Sequence, residues 1–67
     1  MILSVPEMSC GHCKATVERA LAGLDAGAVV AVDLARRQVA VTTGQPAAAV
    51  IAALSAQGYD ATVIVQS

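Results

Sequence analysis

Apolar positions along the chain follow two rhythms, one of a helix turn and one of a strand pleat. From about Gly11 to Gly23 the rhythm is helical: Val17, Ala20, Leu21 and Leu24 fall at i, i+3, i+4 and i+7, one apolar stripe. Gly23, Asp25 and Gly27 bring that helix to an end. A second stripe of the same spacing, Ala47, Val50, Ile51 and Leu54, follows Pro46, which suits the first turn of a helix. Gly58 stands where a C-terminal cap is needed. Between and around the helices the rhythm shortens to two. Residues 2–6 alternate weakly and close at Pro6. Residues 28–34 place Val30, Val32 and Leu34 on one face. Residues 38–43 repeat this with Val39 and Val41, and residues 60–65 with Ala61, Val63 and Val65. The charged turn through Ala35, Arg36 and Arg37 predicts a hairpin between the two middle strands, solvated and far from the cysteines described below.

The predicted order is β-α-β-β-α-β. Each strand then has one apolar face and each helix one stripe. Burial is achieved by laying both helices on one side of a four-stranded antiparallel sheet, an α+β sandwich of the ferredoxin-like arrangement. No linker or low-complexity tract divides residues 1–67, so one domain is expected. At 67 residues it stands near the lower size limit for a self-sufficient core. Ala and Val supply most of the apolar content and Tyr59 is the only aromatic residue, so the fold should be marginally stable and visibly stabilised by a ligand.

Charge narrows the classes of partner. The net charge is −1, with no basic run and no aromatic platform, which leaves nucleic-acid binding without an electrostatic footprint. No apolar run approaches the roughly 18 residues of a membrane span. The first residues lack the charged and long apolar pattern of a secretory signal, so a cytoplasmic location is expected. Two cysteines in a reducing compartment point to metal ligands or redox thiols rather than to a structural disulfide.

Those cysteines lie in Met8-Ser9-Cys10-Gly11-His12-Cys13, which also holds the only histidine. Cys10 falls in the loop before the first helix and Cys13 about one turn into it. Both thiols thus sit at a helix N-terminus, where the dipole and free N–H groups favour thiolate. Lys14 adds a positive charge beside Cys13, and Gly11 lets the loop turn. A closed zinc site needs four ligands, and two Cys and one His do not complete it. Thiol–disulfide exchange is suggested by Cys10-Gly11-His12-Cys13-Lys14, the active-site run of protein disulfide isomerases. That fold, however, needs a longer chain and an aromatic residue ahead of its first cysteine. An open two-thiolate site suits a soft ion such as Cu(I), which accepts two or three ligands and can be handed on by exchange.

With Met8-x-Cys10-x-x-Cys13 between first strand and first helix, the chain resembles the heavy-metal-associated domain family. That family comprises small copper chaperones and the metal-binding modules of copper-transporting P-type ATPases. The resemblance continues through Val17-Glu18-x-Ala20-Leu21, Val32-Asp33-Leu34 and Gly58-Tyr59. It implies a non-enzymatic bacterial copper chaperone with Cys10 and Cys13 as Cu(I) ligands and a copper-exporting ATPase as partner. Met8 would pack inward beneath the loop, and Tyr59 would sit close to the metal. Ser9, where zinc and cadmium transporters often carry an acidic residue, favours Cu(I). A copper-bridged homodimer or glutathione would supply a third thiolate. An excised ATPase module remains an alternative to a free-standing chaperone. His12 is expected to face solvent, with a tuning role between the two thiolates as the sharper alternative. Lys14 and Glu18 sit four apart on the other side of the helix, where they can pair weakly.

Overall fold

A computed structural model describes residues 1–65. The elements are β1 (Ile2–Ser4), α1 (Gly11–Leu24), β2 (Val29–Asp33), β3 (Gln38–Thr42), α2 (Ala47–Ser55) and β4 (Thr62–Val65). The strands form one antiparallel sheet in the order β2-β3-β1-β4, the ferredoxin-like arrangement that the two rhythms predict.

Strand register explains which side chains meet. Leu3 lies opposite Val39 on one side and Val63 on the other, while Val30 and Val32 lie opposite Val41 and Val39. The inward faces of β1 and β3 therefore bury Leu3, Val39 and Val41, and the outward face leaves Val29, Ala31 and Ala40 exposed. Against the inner face α1 sets Val17 and Leu21, and α2 sets Val50 and Leu54. Both helical stripes thus point where their periodicity placed them. Each fully buried aliphatic contributes roughly 1.5–3 kcal/mol of transfer free energy. Two further core residues, Val5 and Met8, come from the segment after β1.

β1 is shorter than the expected 2–6. The Val5 N–H still donates to the Arg37 carbonyl at 2.8 Å, in the register of the β1–β3 ladder, but Pro6 has no N–H with which to continue it. Pro6 opens a turn closed by the Met8 N–H donating to the Val5 carbonyl at 3.0 Å.

The connections are held by their own chemistry. Asp25 caps α1 through its N–H on the Leu21 carbonyl. Its carboxylate accepts from the Gly27 N–H at 3.0 Å and from the Thr43 hydroxyl at 2.6 Å. The Thr43 hydroxyl, followed by the Gly27 N–H, holds the Asp25 carboxyl below its usual range. α2 begins after Pro46, which serves as its N-cap, and ends in a Schellman motif. There the Gly58 N–H donates to the Ser55 carbonyl, and the Tyr59 N–H to the Leu54 carbonyl. Gly58 has φ +88, and a Cβ added there would meet no atom within 4 Å, so only backbone conformation opposes a side chain. Gly58→Ala is expected to cost about 1 kcal/mol, read as a fall of about 4–8 °C in the melting temperature.

Two sequence expectations need correction. Lys14 and Glu18 form no ion pair among the described residues; the recorded pair is Arg36–Asp33, at 3.9 Å and exposed, which is worth little. The hairpin turn with Arg36 and Arg37 is not remote from the cysteines. Gln38 at the start of β3 and Thr62 at the start of β4 both pair with Ser4 at the end of β1. The β2–β3 turn, the β1–α1 loop and the α2–β4 loop therefore share one end of the sheet.

Candidate metal centre

The loop that carries the thiols is anchored from below and open above. Met8 is completely buried in the core, which fixes the loop's near side, as the inward packing expected for it requires. Ser9, Cys10, Gly11 and His12 are exposed. Cys10 is the N-cap of α1 with extended backbone, and its carbonyl accepts the first helical bond, from the Lys14 N–H at 3.1 Å. Its thiol makes no cap bond, so Gly11, His12 and Cys13 open the helix with N–H groups directed at the loop.

Within this frame the Cys10 and Cys13 sulfurs lie 3.2 Å apart, both thiols free. Cys13, half-buried, packs against the edge of the core, while Cys10 stands in solvent. A soft ion entering between two sulfurs in contact must spread them, and Cys10, on exposed loop, is the one free to move.

Tyr59 reaches this pair from the α2–β4 loop, at the same end of the sheet. The Schellman motif turns the chain sharply at Gly58, and Tyr59, the next residue, leans on the core edge with its hydroxyl at Cys13. The Tyr59 hydroxyl beside the sulfur is the main reason the Cys13 thiol falls from 9.0 to about 7. A backbone donor at Ser9 and the Cys10 thiol lower it further, against a small opposing effect of burial. The same contact raises the Tyr59 phenol. Tyr59 therefore packs on the small core and stands beside the Cys13 thiol at once. Tyr59→Phe is expected to move the Cys13 titration up from about 7 toward its ordinary 9.0. The pH profile of ultraviolet thiolate absorbance reads this directly, and an unmoved profile would remove Tyr59 from the site.

The remaining candidates stand outside the sulfur pair. His12 is exposed on the first turn of α1, and only its carbonyl is engaged, by the Thr16 hydroxyl at 3.0 Å. Among the described residues no group of three or more His, Cys, Asp or Glu side chains gathers to hold a metal. The candidate centre is therefore the pair of thiols. Lys14 is exposed next to Cys13. Sequence reasoning missed Arg37, whose guanidinium donates to the Pro6 carbonyl at 3.1 Å and whose own carbonyl receives the Val5 N–H. Only the positive charge of the turn was visible in the sequence, not its reach.

Comparison with known proteins places this geometry. The heavy-metal-associated domain family model matches residues 2–60. The copper chaperone CopZ of Staphylococcus aureus is 44% identical over 62 residues, covering 88% of this chain and 91% of that one. A crystal structure of a gold binding protein superposes with a TM-score of 0.89 at 38% identity, covering 91% of this chain and 94% of the other. The copper chaperone Atx1 from Synechocystis PCC6803, in a trimeric copper form, superposes with a TM-score of 0.90 at 31% identity, covering 92% and 98%.

Proposed function

Because the chain belongs to the heavy-metal-associated domain family, we propose that it is a single-domain copper metallochaperone that carries Cu(I) on Cys10 and Cys13. The observation that carries the reading is the pair of free sulfurs 3.2 Å apart at a helix N-terminus, with no third His, Cys, Asp or Glu gathered around them among the described residues. Soft thiolates select Cu(I), and a d¹⁰ ion is content with so few ligands. Low coordination leaves room for an incoming thiolate to bind before an outgoing one leaves, so the ion passes on without being freed into water. A carrier of this kind makes and breaks no covalent bond in a substrate. Similarity to chaperones named for copper supports the choice of metal.

The partner assigned by this reading is a copper-exporting P-type ATPase in the same cytoplasm, which offers its own thiolate pair to the exposed loop. Between partners, glutathione or the thiols of a second copy would occupy the open position. Anaerobic loading followed by native mass spectrometry gives the copper stoichiometry and any copper-bridged pairing. Mixing the loaded protein with a copper ATPase metal-binding module then follows transfer. One Cu(I) per chain, or one shared between two, moving to the module supports the reading. A protein that keeps no Cu(I) against a moderate chelator but reduces insulin disulfides is a thiol–disulfide oxidoreductase instead.

A further inference from the structure

We infer that Arg37 is a positioning residue for the metal loop: its guanidinium, reaching across from the β2–β3 turn, locks the peptide plane from which the Cys10 loop departs. The inference rests on the carrier reading for its consequence in copper binding, but not for its geometry.

The segment Val5-Pro6-Glu7-Met8 is a β-turn closed by the Met8 N–H on the Val5 carbonyl at 3.0 Å, with Pro6 in its second position. In such turns the carbonyl of the second residue is the one that swings over when the turn changes between types I and II. Here that carbonyl belongs to Pro6, and it accepts the Arg37 guanidinium at 3.1 Å. Type II also requires positive φ at the third position. Arg37 is the one described non-glycine residue with positive φ, so Glu7 does not have it. The turn is thus held in one of its two states, with an arginine on the atom that would have to move.

The same arginine accepts an unfavourable backbone to get there. Its φ is +54, a conformation that glycine adopts freely and a side chain resists. Within the turn its N–H meets the Leu34 carbonyl at 3.3 Å, and its own carbonyl takes the Val5 N–H. Both of these are backbone bonds that glycine would make equally well. The guanidinium–Pro6 bond is what the side chain adds. Met8 fixes the loop through the core and Arg37 fixes it through the backbone, which leaves Ser9, Cys10 and Gly11 as the span free to spread around an ion.

Arg37→Gly separates positioning from stability, because it relieves the backbone and removes the clamp in one step. The variant is expected to melt at or above the parent's temperature. Its Met8 amide should exchange with deuterated solvent about fivefold faster, and Cu(I) should leave for the chelator bicinchoninate about fivefold faster, as loss of one solvent-exposed hydrogen bond predicts. Arg37→Lys, which keeps one donor, should recover part of both. Unchanged amide exchange in Arg37→Gly overturns the clamp, whatever the metal does. A parent that binds no Cu(I), with the exchange difference still present, overturns the carrier reading and leaves the clamp standing.

Discussion

Replacing either Cys10 or Cys13 with serine is expected to abolish Cu(I) retention at a chelator concentration that the parent withstands. Among the described residues the site gathers two thiols and no further His, Cys, Asp or Glu. Loss of one leaves a single soft ligand, and the serine hydroxyl that replaces it is hard and remains protonated. Supporting residues around metal sites cost roughly 10–100-fold when removed, so loss of one of two direct ligands should exceed that range. Neither change should trouble the fold. Cys10 is exposed and makes no cap bond, and Cys13 only touches the edge of the core. Apo melting temperatures should therefore stay within what about 0.5 kcal/mol shifts, which ties the loss to the ligands. Cys10→Ser leaves a Cys13 thiol still lowered chiefly by Tyr59, so it stays quick to alkylate near neutral pH. Retention by either single variant equal to the parent's would end the two-thiolate reading.

What was legible in the sequence, and what was not, divides by the range of the interactions. The helical stripes of Val17 and Leu21, and of Val50 and Leu54, are local periodicities, and the core contains all four residues. Strand alternation placed Val39 and Val41 inward for the same reason. Gly58 was recognisable as a cap because a helix end demands a residue of positive φ, and the two Schellman bonds span only Leu54 to Tyr59. The Tyr59–Cys13 contact joins residues 46 apart and came only through resemblance to a family, not from any pattern in this chain. Arg37 shows the limit most clearly. A turn written Ala35-Arg36-Arg37 contains nothing to say that its second arginine will take a left-handed conformation and bond a proline carbonyl 31 residues away. Charge suggested solvent, and only the register of β3 against β1 brings the turn back to the loop. The Lys14–Glu18 pair fails in the opposite sense. Spacing permits it, but both side chains are exposed, and water competes successfully for each.

Met8→Ala is expected to cost about 2–5 kcal/mol, the range for truncating a long buried side chain to a methyl group. That loss is set against a total of roughly 0.05–0.15 kcal/mol per residue for a marginal fold. In a domain of 67 residues whose fully buried core is Met8 with Leu and Val alone, this is a large part of all the stability there is. A substantial unfolded fraction in the apo variant, seen by circular dichroism at ambient temperature, is the expected result. Cu(I) should restore folding in proportion to its concentration, because an ion that binds only the folded state draws the equilibrium toward it. The informative companion is Met8→Leu. Leucine nearly conserves volume and should cost less than about 1.5 kcal/mol, but it has no sulfur. If Met8 serves by filling the core beneath the loop, as its complete burial indicates, Met8→Leu binds Cu(I) like the parent. If its thioether were a third ligand, the variant would fold normally and lose copper. The outcome fixes whether the open coordination above Cys10 and Cys13 is filled from within this chain, or waits for the thiolate of a partner.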